Sequence, residues 1–229
     1  MNLLITGGCG HIGSYIIEHI AKIKKIKRTY VLDNFKSAQI NSLFKTKKKN
    51  KIFFCKLDLT NKSSLKQFKN IDYIIHLASM TNAAGSFNKK KEMYKNNINC
   101  MKNVIDYCLK NKSKLIHISS TSVYGKQTDL VDEKCEKKYL KPQSPYADIK
   151  LIEENMLNKV RNRIKYVTYR FGTISGISKG MRFHTAVNKF CLDASLNLHI
   201  TVYNTALHQF RPYLSVQDSF KLFKLKKKK

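Results

Sequence analysis

The chain is short of acid: 15 aspartates and glutamates stand against 44 lysines and arginines in 229 residues, a formal net charge of +29. It is also short of arginine, which occurs only at positions 28, 161, 163, 170, 182 and 211. A basic excess first suggests nucleic acid or an anionic surface. Here the excess is almost all lysine, spread among asparagine and isoleucine as an AT-rich genome would produce. It reads as a solvated lysine surface, and neither a nucleic-acid nor a membrane partner is expected. With three prolines and nine glycines there is no linker, repeat or low-complexity segment. No apolar run approaches the roughly 20 residues that span a bilayer. The six cysteines, Cys9, Cys55, Cys100, Cys108, Cys135 and Cys191, show no C-x-x-C pair and no metal-ligand spacing. They read as free thiols in a reducing compartment, and no metal is expected. A glycine turn interrupts the first apolar run at once, so no signal peptide precedes it, and the protein is expected to be cytoplasmic.

What is present points to one nucleotide-binding core. Hydrophobic residues make up 42% of the chain, enough for one sizeable core with a small second lobe. Apolar, β-rich runs at Asn2–Thr6, Thr29–Asp33, Lys51–Leu57, Ile71–Leu77, Lys114–Ser119 and Lys165–Phe171 predict strands. Helices are predicted near His11–Lys24, Lys36–Leu43, Asn61–Phe68, Lys90–Leu109 and Ser144–Lys159. Lys45–Lys51 reads as a charged loop. The alternation predicts an α/β fold: a Rossmann-type, doubly wound parallel sheet covered on both faces.

The first strand runs directly into T-G-G-C-G-H-I-G, residues 6–13. Such a turn sets bare backbone N–H groups beside a helix N-terminus, which suits a pyrophosphate. Gly7 permits the tight turn, Gly10 lets phosphate approach the backbone, and Gly13 lets the helix lie close to the strand. Asp33 follows the second strand about 20 residues after this turn, where a carboxylate accepts from ribose hydroxyls and repels a 2′-phosphate. NAD is therefore expected over NADP. Asp58 and Leu59 end the third strand near the adenine edge. His76, Leu77 and Ala78 end the fourth, where backbone would pass the cofactor; His76 itself reads as structural.

Tyr146 and Lys150 are four residues apart, on one face of a helix. An ammonium favours the phenolate, so a tyrosine with a free pKa of about 10 can act as a base near neutrality. Ser144 and Pro145 precede the pair and suit a helix start. The fifth strand ends in S-S-T-S-V-Y-G (119–125), hydroxyls able to bond a substrate oxygen or, alternatively, simply to cap a loop.

Together with V-L-D-N (31–34), L-D-L-T (57–60), H-L-A-S (76–79), N-N-I-N (96–99) and R-P-Y-L-S-V-Q-D (211–218), these motifs resemble an extended short-chain dehydrogenase/reductase. The resemblance is to the nucleotide-sugar epimerase/dehydratase type, UDP-glucose 4-epimerase-like, and covers essentially the whole chain. It implies Tyr146 as base, Lys150 as its activator and ribose ligand, and Ser120 as the catalytic hydroxyl, with Thr121 as the neighbour that could substitute for it. It implies a cofactor set of Gly7, Gly10, His11, Ile12, Gly13, Asp33, Asn34, Asp58, Leu59, Leu77, Ala78, Asn97, Tyr146 and Lys150. Ser120, Tyr146, Asn188 and Arg211 would meet a nucleotide-sugar substrate, Arg211 at its diphosphate. The resemblance also allows a homodimer through the helices at Lys90–Leu109 and Ser144–Lys159.

Two departures stand out. Where 4,6-dehydratases carry an Asp-Glu pair after the catalytic threonine, this chain has Thr121 and Ser122, which argues against dehydration. In R-F-G-T (170–173), Thr173 replaces the asparagine common in epimerases. The expected activity is redox epimerisation through a transient keto-sugar; reduction of a keto nucleotide sugar and an NAD-binding chain without turnover are the alternatives. The expected domains are an NAD-binding Rossmann domain over 1–172 and a partial substrate lobe over 173–229. After Val202 the pattern turns irregular, a helix begins near Val216, and the chain stops in four lysines. Truncation within the substrate lobe is expected; a natural basic tail is the alternative.

Overall fold

The computed structural model describes the chain except for residues 21, 37–39, 44–50, 82–83, 128–130, 205–206, 208–209 and 224–229. The six apolar runs form six strands: β1 (Asn2–Thr6), β2 (Arg28–Asp33), β3 (Ile52–Lys56), β4 (Tyr73–His76), β5 (Lys114–Ser120) and β6 (Tyr166–Phe171). All pair in parallel, in the order β3-β2-β1-β4-β5-β6. The order reverses between β1 and β4. In open α/β sheets, ligands bind in the crevice beyond the strand C-termini at such a point.

The strands are apolar on both sides because both faces are covered. Leu4, Leu32, Ile74 and Leu115 face one core, closed by Met101, Val104, Ile105 and Cys108 of α2 (Lys90–Asn111) and Leu157 of α3 (Pro145–Lys159). Their neighbours Leu3, Ile5, Val31, Ile75 and Ile116 face the other. That side is closed by Ile16, Ile17 and Ile20 of α1 (His11–Ile20). Each such side chain fully buried contributes about 2 kcal/mol of transfer free energy.

Beyond β6, the short strands β7 (Thr173–Ser175) and β8 (Tyr213–Ser215) pair in parallel and flank α4 (Ala186–Ser195). The last helix, α5 (Val216–Lys221), packs on α1, and Phe223 enters the core beside Phe171. The residues after 172 thus return to the main sheet.

Two predicted helices are corrected. Asn61–Phe68 forms turns: Asp58 and Asn61 accept hydrogen bonds from the backbone of Thr60 and Ser63, at 3.0 and 3.1 Å, and so compete with helical pairing. Leu65 and Phe68 are nonetheless buried in the core. In place of Lys36–Leu43 only a 3₁₀ turn is seen, Ile40–Leu43, with 37–39 outside the described residues, as is most of the Lys45–Lys51 loop. Helix α4 and the β7–β8 pair were not predicted. Among the described residues no helix is long and apolar enough to cross a membrane. The six cysteines are free, three of them buried.

Candidate active site

The glycine turn sits at the C-terminal end of β1, at the point of strand-order reversal. Gly7 has φ +66°, and a Cβ there would stand 2.6 Å from Ala78 N. Only glycine lets this turn meet the loop after β4. Gly13 admits the helix: its Cβ would lie 2.5 Å from Gly8 O. Gly10 donates to Gly7 O (3.3 Å) and accepts from Ser14 N (2.9 Å).

Asp33 ties the end of β2 to this turn. Its carboxylate accepts from Cys9 N and Phe35 N, each at 2.9 Å, and each oxygen keeps a further lone pair for a hydroxyl. Asn34 accepts from Lys36 N at 3.1 Å. Asp58 pairs with Lys36 (2.9 Å) and accepts from Thr60 Oγ1 (2.7 Å). Burial alone would raise its carboxyl, but Lys36 and Thr60 outweigh that and hold it at about 2. Leu59 turns its side chain into the core. Leu77 N donates to Thr6 O at 3.0 Å, and Ala78 N to Thr6 Oγ1 at 3.3 Å. Asn97 is fully buried and clamps the same loop, accepting from Met80 N (2.8 Å) and donating to Met80 O (3.0 Å).

A segment that sequence reasoning did not place here lies across the turn. His11 Nε2 bonds Gly176 O at 2.8 Å, and burial keeps the His11 imidazole below its usual range, so the neutral ring donates. Gly180 N donates to Ser14 Oγ at 2.9 Å, and a Cβ on Gly180 would meet Cys9 O at 2.3 Å. Ile12 packs into the adjacent core.

The second half of the site is α3. Ser144 caps it, accepting from Ala147 N at 3.2 Å, with Pro145 in the first turn. Tyr146 is half-buried and packs, as does Met80 of the loop after β4, against the cluster of Met93, Ile98 and Ile149. The same loop carries Ala78, which abuts Gly7, so Tyr146 lies toward the glycine turn's end of the sheet. Lys150 is buried, its Nζ 5.9 Å from the Tyr146 ring centre. Burial opposes the ammonium, but Glu153 and Tyr146 outweigh it and hold Lys150 above its usual value. Lys150 Nζ donates to Glu153 Oε2 at 2.8 Å, and His117 Nε2 meets the same oxygen at 2.9 Å. His76 bonds Thr6 Oγ1 through Nδ1 at 2.8 Å and stacks 6.5 Å from His117, a structural role.

Ser120 ends β5 and caps the 3₁₀ turn Thr121–Tyr124, against which α3 packs. Its Oγ accepts from Ser122 N (3.2 Å) and Ser122 Oγ (2.9 Å), which leaves its own hydrogen to donate. Below it, Arg170 grips Glu154 in two contacts of 2.9 and 2.7 Å, and Ser119 donates to the same carboxylate at 2.6 Å. The Arg170 guanidinium also lies 4.9 Å from the Tyr124 ring centre. This brace fixes α3 to β5 and β6.

Of the expected substrate residues, Asn188 is buried and spent on backbone, accepting from Gly176 N (3.2 Å) and donating to Arg182 O (2.8 Å). Arg211 is exposed just before β8. Arg182 was missed. Burial lowers its guanidinium, Tyr146 acts against that, and its charge is also felt at His11. Its charge therefore acts on both Tyr146 and the start of α1. The signal available was its place in M-R-F-H, beside the noted Asn188.

The site fits a dinucleotide: a cradle at Gly7 that a Cβ would fill, a carboxylate at Asp33 with acceptor positions to spare, and a buried cation at Lys150. Comparison with known proteins agrees. A curated UDP-glucose 4-epimerase from Yersinia enterocolitica is 31% identical over 163 residues, 69% of this chain and 48% of that protein. A UDP-N-acetyl-alpha-D-glucosaminuronate decarboxylase from Bacillus cytotoxicus is 29% identical over 157 residues, 67% of this chain and 48% of that one. The chain thus spans about half the length of these relatives. A UDP-glucuronic acid 4-epimerase from Bacillus cereus, solved with UDP-glucuronic acid and NAD, shares the fold with TM-score 0.84 at 24% identity, over 96% of this chain and 71% of that one. The family model described as "NAD dependent epimerase/dehydratase family" matches residues 3–226, and the chain belongs to that family.

Proposed function

We propose that the chain is an NAD-dependent epimerase of a nucleotide-activated sugar, working through a transient keto intermediate. The observation that carries this reading is the Tyr146–Lys150 pair, 5.9 Å from ammonium to ring centre, with Tyr146 in one cluster with Met80 of the loop whose Ala78 abuts the glycine turn. Tyr146, as phenolate, takes the proton from a ring hydroxyl, which we place at C4. Lys150 stabilises that phenolate, and Ser120 donates its remaining hydrogen to the forming ketone oxygen. NAD, when bound, would supply a reversible hydride acceptor for the ring carbon, so no external oxidant would be consumed. Tyr146 then gives the proton back. Proton transfer by a positioned base contributes about 10²–10⁴-fold, and the remainder must come from orientation.

Thr121 and Ser122 supply no carboxyl group for removing water from the ring, which favours epimerisation over dehydration. We assign Arg211, with the substrate lobe over 173–229, to the substrate diphosphate. Asn188 supports this lobe from inside through Gly176 and Arg182.

The test is mass spectrometry of the purified protein for retained NAD(H), followed by UDP-, GDP- and dTDP-hexoses with the products read by NMR. The expected result is one epimer formed with no net change in NADH. Stoichiometric consumption of NADH would make the chain a reductase, and conversion of no sugar nucleotide would leave it a cofactor-binding chain without turnover.

A further inference from the structure

Glu153 is wholly buried, yet its two oxygens are treated unequally. Oε2 takes both the Lys150 ammonium (2.8 Å) and His117 Nε2 (2.9 Å), while Oε1 is buried with no hydrogen-bond partner. A buried carboxylate with an orphaned oxygen is costly, and an apolar side chain of similar size is often neutral or better for stability. Folding alone therefore does not account for the residue.

We propose that Glu153 is a positioning residue that keeps Lys150 charged and aimed at Tyr146, and is itself held from the far side by His117. The inference rests on the reading of Tyr146 as base. A lysine 4% exposed would lose its proton to desolvation unless an anion stood beside it. Among the described residues, no other group facing Lys150 supplies a standing anion in hydrogen-bond contact with it. Tyr146, one turn away, exchanges its proton in the proposed reaction, so its charge is not a standing one, and its ring centre is 5.9 Å from the ammonium. His117 on β5 and His76 on β4 are driven neutral by burial. The Cys100 thiol of α2 is pushed up to about 12 by burial. Glu154 is committed to Arg170 and Ser119. Arg182, from the segment before α4, faces Tyr146 with a further positive charge. Among the described residues, Glu153 is the one that accepts a hydrogen bond from the ammonium.

The neutral state of His117 sets its geometry. Nε2–H donates to Glu153, and Nδ1 accepts from Thr168 Oγ1 at 3.3 Å. The carboxylate is thereby anchored to β5 and β6, and Lys150 cannot swing away from the pocket without breaking that anchor.

The experiment is a ¹³Cε lysine NMR titration of the NAD-loaded protein, with the Lys150 signal identified by its absence in Lys150→Arg. Glu153→Gln keeps an acceptor for both donors and removes the charge. It should lower the Lys150 midpoint by roughly two units. Glu153→Asp withdraws the charge by one methylene and should lower it less, in the same direction, which keeps the test open if the glutamine variant does not fold. A midpoint unmoved in either folded variant overturns the proposal, even where thermal stability falls, since a merely structural role changes stability without touching the titration. Turnover of Tyr146→Phe is measured alongside. If that variant is inactive and the midpoint stays put, only this inference fails; if it turns over at the wild-type rate, the assignment of the base fails whatever the titration shows.

Discussion

Lys150 Nζ lies 5.9 Å from the Tyr146 ring centre because the two residues are one turn apart on α3, whose start is set by the Ser144 cap and Pro145. Helix geometry makes the pair, and the clusters of the sheet decide where it points. Tyr146 and Met80 pack against one cluster, Met93, Ile98 and Ile149, and Met80 is pinned by Asn97 of α2. Tyr146 is therefore located in part by contacts made elsewhere in the chain.

Asn97 provides a first prediction. Asn97→Leu strips both hydrogen bonds from the Met80 backbone and leaves buried polar groups unmet. Unfolding by urea should show a loss of about 1–3 kcal/mol, and the variant should retain less NAD on purification. A variant with wild-type stability and full cofactor would remove Asn97 from this role.

Gly7 provides a second. Gly7→Ala must keep φ +66° and place its Cβ 2.6 Å from Ala78 N. Left-handed backbone for a non-glycine residue costs of order 1–3 kcal/mol before the clash is counted. The turn should shift away from the β4 loop, with most bound NAD lost. Mass spectrometry of the purified variant checks this; wild-type cofactor content contradicts it.

The buried histidines set the pH dependence of stability. Burial holds His76 at about 3 and pushes His117 down as well. Imidazoles in the unfolded chain bind protons from about pH 6.5 downward, so there the unfolded state holds more protons than the folded one. Stability therefore falls as pH drops below that value. Glu153 and Asp58 act in the same sense further down, because their depressed folded values contribute stability that is complete above the ordinary carboxylate range and lost on acidification. Asp58 is 35% exposed, so solvent screening leaves its share small. Urea midpoints should decline steadily from about pH 7 to pH 4. His76→Gln should flatten the upper part of that slope, and an equal slope in the variant would assign the effect elsewhere.

The sheet was legible because its signals are local. Continuous apolar runs such as Leu3-Leu4-Ile5 bury alternate residues on opposite faces, and both faces being covered shows in the sequence as an absence of polar alternation. The Tyr146–Lys150 spacing and the Ser144 cap were equally local. Asn61–Phe68 misled because its apolar spacing, Leu65 and Phe68, matches a helix, while the Asp58 and Asn61 side chains take backbone donors that a helix would use. The Glu153–His117 contact joins a helix to a strand 36 residues earlier and depends on packing that no sequence window contains. Likewise, nothing in G-I-S-K-G shows that Gly180 needs to be bare; that follows from Cys9 O lying where its Cβ would be.

The most direct test of the central assignment is Tyr146→Phe, assayed on whichever sugar nucleotide the wild-type protein converts. Removing one hydroxyl leaves the glycine turn, Asp33 and the Lys150–Glu153 contact in place. The expected result is wild-type NAD retention with kcat reduced by about 10²–10⁴-fold. A variant that retains NAD and turns over at the wild-type rate would show that the proton is moved by another group.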